Sequence, residues 1–408
     1  MSTRPTVPSL RRRSVLQLFL SSGLGFGLAA CGGVSEDAEP ARTEALLKAQ
    51  ADAAIASGLV GLVLGQVDSA SSSIAVAGKR RQGHSAQVEA QDRFAIGSNT
   101  KAMSCAAILA LAERGGPPPS LTLAQAFSGW AGDIHPAYAQ VSVADLLHHR
   151  GGLPAFNGTG AEENAFLAAI AADTGPLPDT MTGRRAYFAR WLLAQAPAAG
   201  VVPSTGFLYS NAGYVLAAAM IEAHAGKAFE ALFDEALVQP LGLEGAWRSP
   251  VPNPADVVWG HEGAAGALAV VEADEETLAT RDWLDMIAPA GHWACTGAAY
   301  AQWLRWHVQA LRGEGTPLPQ AYADDLRAAT GDAYVWGWQA VATPQRVLLT
   351  HTGHVPGFMA EAVLDRRGDF AVFGLSNTGH FADDGSSWVL GRMDQALAEV
   401  LKQQSLSL

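Results

Sequence analysis

Ser98 precedes Lys101 by three residues in the stretch Phe94-Ala95-Ile96-Gly97-Ser98-Asn99-Thr100-Lys101, where an apolar strand pattern gives way to a helix pattern rich in Ala, Leu and Met. Residues three apart share a helix face. A serine hydroxyl becomes a useful nucleophile when a neighbour takes its proton, and a lysine can take it when burial or nearby positive charge leaves the amine partly neutral. The spacing predicts that contact. At a helix start the N–H of Ser98 has no intrahelical acceptor and can donate to an oxyanion. The alternative is structural, with Ser98 as a helix N-cap and Lys101 as an exposed first-turn residue. Two facts count against it. The chain has five lysines, and only Lys101 has a serine three residues before it; a cation in the first turn also opposes the helix dipole.

Two further stretches extend the pattern. Tyr209-Ser210-Asn211 stands where a helix pattern begins near Ala212, and His351-Thr352-Gly353 stands in a β-rich segment near the C-terminus. Together, and in this order, the three motifs resemble the serine β-lactamase and penicillin-binding-protein superfamily, in the branch that holds class C β-lactamases, D-alanyl-D-alanine carboxypeptidases, D-aminopeptidases and related esterases. Weaker similarity runs from about Leu59 to Leu401 through Leu146-Leu147-His148-His149-Arg150-Gly151-Gly152-Leu153-Pro154, Pro240-Leu241-Gly242-Leu243 and Phe373-Gly374-Leu375-Ser376-Asn377. In the first of these, Arg150 and Gly151 replace the family's threonine and serine, which puts any hydroxyl contacts there in question.

The resemblance implies roles. Ser98 attacks a carbonyl and carries the acyl group, while Lys101 accepts its proton or holds Tyr209 in a reactive state. Tyr209 relays a proton to the leaving group and activates the hydrolytic water, provided the Lys101 ammonium lowers its pKa from about 10; otherwise it is a core aromatic. Asn211 donates to a substrate amide and accepts from Lys101, since residues two apart on extended backbone point the same way, or it caps the following helix. His351 replaces the lysine usual in β-lactamases. A histidine is mostly neutral near pH 7 yet still donates a hydrogen bond, which leans away from an efficient β-lactamase. Thr352 offers a hydroxyl to a substrate carboxylate or amide, Gly353 lets the substrate backbone approach, and the N–H of His354 pairs with that of Ser98 as the oxyanion hole. Reading His148 with His149, or His351 with His354, as metal ligands fails, because neither pair has the cysteine or carboxylate spacing of a zinc site. The expectation is neither metal nor organic cofactor.

Positioning these residues needs a scaffold. A helix over Arg42–Ser57 and strands over Leu59–Val67 and Ser73–Ala77 open the fold, and helical patterns fill Glu162–Ala172, Arg184–Gln195, Ala212–His224, Ala228–Val238 and Ala298–Leu311. Strand patterns return at Tyr334–Val341, Arg346–Thr352, Phe358–Leu364 and Phe370–Leu375, before a final helix over Trp388–Leu401. This predicts an α+β fold, β-lactamase/transpeptidase-like, with one antiparallel sheet built from both chain ends (about 42–97 and 330–403) and an inserted helical lobe (about 103–327). The cleft should lie between them. Trp283, Trp293, Trp303 and Trp306 either line an acyl pocket or fill the helical lobe.

Composition narrows the function classes. Of 408 residues 49% are hydrophobic and 16% charged, so the chain folds rather than staying disordered. The 27 basic residues include four arginines among the first 30, which hold no acid, so against 39 acids the remainder carries −16. Nucleic acid is excluded as a partner, since phosphate binding needs clustered Lys/Arg. Residues 1–30 have the layout of an export signal, with Arg11-Arg12-Arg13 before an apolar run. Arg12-Arg13-Ser14-Val15-Leu16 resembles a twin-arginine motif and Leu28-Ala29-Ala30-Cys31 a lipobox, so Cys31 is the expected lipid anchor and residues 31–41 a tether. The alternative is an uncleaved N-terminal anchor. Cys105 and Cys295 then remain, as one bridge or two buried thiols. The chain reads as an exported, envelope or periplasmic serine hydrolase acting through a Ser98 acyl-enzyme at residues 42–403. Its expected substrate is a small D-alanyl peptide, with a short-chain ester or a β-lactam as alternatives. A non-catalytic envelope binding protein is the reading from another class.

Overall fold

The computed structural model describes residues 38–406 except 131, 159 and 383. The expected leader at 1–30 and the anchor Cys31 lie outside the described residues, as does most of the tether. Helix α1 (Ala38–Ala56) begins before the expected Arg42. Among the described residues no helix is long and apolar enough to cross a membrane.

The hairpin of β1 (Gly61–Val67) and β2 (Ser72–Gly78) follows. Five short strands come next: β3 (Phe94–Ala95), β4 (Gly245–Trp247), β5 (His261–Glu262), β6 (Ala269–Val270) and β7 (Trp293–Cys295). The C-terminal part supplies β8 (Tyr334–Val335), β9 (Trp338–Ala342), β10 (Val347–Val355), β11 (Phe358–Asp365), β12 (Ala371–Ser376) and β13 (Thr378–Gly379). The large sheet runs β2-β1-β12-β11-β10-β9-β8 and is antiparallel throughout. It is therefore built from both chain ends, with Leu62 of β1 opposite Ser376 of β12. Two three-stranded sheets, β3-β7-β4 and β13-β5-β6, flank it.

Alternation along β11 shows why the sheet can carry a layer on each face. Ala360, Ala362 and Leu364 join the main core, whereas Met359 and Val363 join a second core with α1 and the C-terminal helix. Where Tyr334–Val341 reads as one strand in sequence, the structure has two. Trp336 (φ 46) and Gly337 (φ 88) form a two-residue turn that folds β8 back on β9, with Val335 opposite Trp338.

The inserted lobe is helical. Its main helices are α2 (Thr100–Glu113), α3 (Val143–Leu147), α4 (Ala161–Ala172), α5 (Met181–Leu193), α6 (Asn211–Ala225) and α7 (Gly297–Leu311); α8 (Trp388–Leu406) closes the chain against the sheet. Residues 100–110 of α2 are buried, so this helix runs through the centre of the molecule. Arg185, fully buried on α5, pairs with Glu222 of α6 and with Glu230. The expected helix over Ala228–Val238 is interrupted: Phe229–Phe233 is α-helical and Asp234–Val238 is a π turn. Pro240 lacks the N–H that would bond the carbonyl of Ala236, and Arg114 donates to that carbonyl instead. Trp293 and Trp303 are core side chains, so at these two positions the packing reading holds. Cys105 and Cys295 are separate buried thiols.

Candidate active site

β3 runs into the nucleophile turn. Gly97 adopts φ 52, and a single 3₁₀ turn over Gly97–Asn99 leads directly into α2. The hydroxyl of Thr100 donates to the carbonyl of Gly97 (2.7 Å) and accepts from the N–H of Trp293 (3.2 Å), which fixes the turn to β7. Ser98 makes no capping bond: the residue flanking α2 is Asn99, whose side chain makes none either. The hydroxyl of Ser98 is thus free of the structural duty that would compete with chemistry.

Lys101 is fully buried one turn on. Its Nζ stands 2.9 Å from Ser98 Oγ, 2.7 Å from Asn211 Oδ1 and 2.8 Å from the carbonyl oxygen of Ala290. Burial holds its pKa well below the ordinary lysine value. Asn211 Oδ1 and Ala290 O can only accept, so they take two of its N–H groups, and the Ser98 hydroxyl, which can accept or donate, is the third partner.

Tyr209 and Asn211 arrive from the far side of the lobe on extended backbone. Ser210, not Asn211, caps α6, its hydroxyl accepting from the N–H of Gly213 (3.3 Å) while donating to the carbonyl of Pro154 (2.6 Å). Asn211 is the first helical residue, and its Nδ2 donates to the carbonyl of Phe156 (2.7 Å). That bond fixes Oδ1 towards Lys101. The Tyr209 phenol interacts with Ser98, and burial pushes its pKa up rather than down. Burial outweighs the lowering expected from Lys101, whose Nζ lies over the ring, 4.9 Å from its centroid. Burial thus favours the uncharged form of both groups, the phenol at Tyr209 and the amine at Lys101.

β10 forms the opposite wall. It pairs with β9 only from Val347 to Thr350, so from His351 to Val355 its edge has no β9 partner. A Cβ on Gly353 would overlap the carbonyl oxygen of Ile96 and stand 3.0 Å from Ser98 N. The glycine is thus required by the nucleophile turn itself, where the sequence reading assigned it to the approach of substrate. Gly97 packs in return against the backbone N of His354, so the N–H groups of Ser98 and His354 belong to one junction.

His351 is turned inward, unlike the substrate donor expected. Its Nδ1 stands 2.8 Å from the carbonyl oxygen of Thr352 and its Nε2 stands 3.3 Å from the Tyr334 hydroxyl, which occupies both nitrogens. Burial and Lys101 lower its pKa to about 3, so it is neutral. Thr352 sits opposite Glu361 of β11, on the strand face away from His351 and Gly353, and the structure does not bring its side chain together with Lys101. The His354 ring also points elsewhere, with Nε2 3.3 Å from Glu262. Among the described residues no group of His, Cys, Asp and Glu gathers as a metal site.

The sequence reading missed several members of this constellation. His149 is buried with φ 58, a conformation uncommon outside glycine, and its Nδ1 accepts from the N–H of Ser210 (3.1 Å). Its ring lies 4.2 Å from that of Tyr209 and 4.6 Å from that of Tyr334. It therefore packs directly against the Tyr209 ring. The stretch Leu146–Pro154 was the available signal, but no spacing rule links it to Tyr209. Nothing local marked Tyr334 or the carbonyls of Ala290 and Phe156.

Comparison with known proteins agrees with this architecture. A family model described as Beta-lactamase matches residues 47–395. The unguisins hydrolase ungD of Aspergillus violaceofuscus is 25% identical over 344 residues, 76% of this chain and 56% of that protein. The chain thus spans little more than half the length of that curated relative. The crystal structure of D-amino acid amidase from Ochrobactrum anthropi SV3, in complex with L-phenylalanine amide, superposes with TM-score 0.65 at 21% identity, over 90% of this chain and 99% of that one. D-alanine carboxypeptidase AmpC from Burkholderia cenocepacia gives TM-score 0.64 at 16% identity, over 90% and 100%.

Proposed function

The chain belongs to the beta-lactamase family of serine hydrolases, and from that premise we propose that it cleaves an amide bond through an acyl-enzyme on Ser98. The observation that carries this is the partner set of Lys101, two obligate acceptors and one hydroxyl around a buried amine. Neutral Lys101 takes the Ser98 proton as Oγ bonds to the substrate carbonyl carbon. The N–H groups of Ser98 and His354 hold the resulting oxyanion, and such a donor supplies roughly 10²–10³ in rate. The C–N bond then breaks as Tyr209 protonates the departing nitrogen, and the Lys101 ammonium restores the phenol. Water reverses the sequence on the ester and frees the acid.

His351 decides among substrates. A neutral histidine with both nitrogens taken gives no cation to pair with a C-terminal carboxylate. That favours amides with an uncharged leaving group, acted on by a D-specific amidase or peptidase, over the strict carboxypeptidase and β-lactamase readings. The D-amino acid amidase among the structural relatives supports this choice. A short-chain ester, also uncharged on leaving, is the second reading. The compartment belongs to the same proposal and rests on the leader motifs and Cys31 alone, with membrane fractionation of Cys31→Ser as its check.

The test is turnover by the purified protein of D-alanine amide, D-alanyl-D-alanine peptide, an acyl ester and a penicillin, alongside Ser98→Ala, with intact mass followed throughout. Amide turnover and a transient adduct, both lost in Ser98→Ala, are expected. Turnover of the peptide or penicillin in preference to the amide would reverse the substrate order. Binding without turnover of any of the four would leave a recognition protein.

A further inference from the structure

Five large apolar side chains are exposed among the described residues, and two of them, Val202 (65%) and Phe207 (56%), sit on the loop that leads into Tyr209. This loop is held along the His149–Gly152 stretch. Ala198 N–H donates to the carbonyl of Gly152 (2.8 Å), Ser204 N–H to that of Arg150 (2.7 Å) and Leu208 N–H to that of His149 (2.9 Å). The departure from the family at Arg150-Gly151 therefore falls on a segment that works through its backbone, which needs no hydroxyl.

Phe207 is thus an apolar ring on a fixed backbone, left open to water. One side of it rests against the rings of His149 (5.8 Å) and Tyr334 (6.1 Å), both neighbours of Tyr209. Phe207 and Tyr209 both pack on the ring of His149, at 5.8 and 4.2 Å between centroids, and Lys101 Nζ lies over the Tyr209 ring, so Phe207 stands at the outer end of a chain of contacts that leads to the buried amine. In the mechanism proposed above Tyr209 gives its proton to the departing atom, so a group leaving past Tyr209 meets Phe207 next. The proposed oxyanion donors and the edge of β10 beyond its β9 pairing occupy the other wall.

We propose that Phe207, with Tyr334 beside it, forms an apolar subsite for the leaving group, so that the preferred substrates are amides whose departing amine carries a large apolar or aromatic group. This rests on the amide-hydrolase reading above and deepens it. An aromatic placed on a fixed ring gains more than its area alone provides, without the cost of ordering a mobile loop.

The test compares substrates that share an acyl group. D-alanine amide and D-alanine benzylamide release amines of similar basicity, and the methyl and benzyl esters of D-alanine form a second pair. Wild type should prefer the benzyl member of each pair. Phe207→Ala should lower kcat/KM for the benzyl members about tenfold and change the small members less than about twofold. Phe207→Leu should recover part of the loss. Equal losses on both members of a pair would overturn the proposal and make Phe207 a support for His149, and unchanged rates on all substrates would show that it touches none. Cleavage of esters alone would defeat the amide reading while the ester pair still decides on Phe207. No turnover of any substrate would defeat both. Because the ring is largely exposed, the variants should melt as wild type does.

Discussion

Gly353→Ala is expected to keep the fold and lose the chemistry. An added Cβ would stand 2.9 Å from Ile96 C and 3.0 Å from Ser98 N, where ordinary contact begins at 3.4 Å, and would overlap Ile96 O outright. All three are backbone atoms, so no side chain can swing aside. β10 and the nucleophile turn must separate by roughly an ångström, at the junction that holds both proposed oxyanion donors. Overpacking of this kind costs about 1–3 kcal/mol of stability. A misplacement of about 1 Å costs on the order of 10² in rate, about 2.7 kcal/mol of transition-state stabilisation. The assay is steady-state hydrolysis of the best substrate found, with thermal unfolding of the same samples. The expected result is a melting point lowered by a few degrees and kcat reduced about a hundredfold. A variant that folds like wild type and keeps kcat within about threefold would refute the claim that this close approach builds the oxyanion site.

Further outcomes follow from the titrating groups. In the proposed mechanism the base must be neutral, so activity should fall on the acid side as Lys101 takes up a proton; Tyr209, raised by burial, should cause no alkaline loss below about pH 10. In Lys101→Arg the guanidinium cannot accept a proton, and activity should vanish across the whole pH profile. His292 and His351 both fall from 6.5 to about 3 on burial, so the unfolded chain binds the extra protons between those values. Urea unfolding should therefore show stability declining as pH drops from about 6.5 to 3, by up to about 1.4 kcal/mol per pH unit for each group, and a histidine-to-glutamine change at 292 should flatten the slope. Glu361 of β11 and Asp394 of α8 share a buried hydrogen bond, and both carboxyls are raised, Asp394 to about 6. The folded form then holds the extra protons, so this pair loses stability as pH rises; Glu361→Gln should have a higher urea midpoint than wild type near pH 8 and match it more closely near pH 4.

The parts legible in sequence are those set by local periodicity. A serine and a lysine three apart meet on any helix, and residues 209 and 211 align on any extended segment, so Ser98, Lys101, Tyr209 and Asn211 could be placed before any tertiary contact was known. The β8–β9 hairpin was hidden because its turn begins with Trp336 at positive φ, where a sequence reader looks for Asn or Gly. His351 was misread for another reason. Its neighbours Thr352 and Tyr334 capture both nitrogens, and Tyr334 comes from a strand whose register follows from that same unrecognised turn. The carbonyls of Ala290 and Phe156 carry no residue-type signal at all. They matter because a buried amine and a buried amide need acceptors, which the backbone supplies wherever packing brings it close.

The pairing of the first strand with the twelfth also sets when this protein can begin to act. The N–H of Val60, just before β1, donates to the hydroxyl of Thr378, 318 residues further along the chain. At ordinary synthesis rates that partner emerges roughly 15–60 s after Val60. Until then the hairpin of β1 and β2 has an unsatisfied edge, and Ser98 lacks the β10 backbone against which its turn packs. A chain that has not yet made β12 thus carries Ser98 without its finished surroundings and leaves the edge of β1 unpaired. Hydrolysis is accordingly expected only once the segments around Val60 and Thr378 have met.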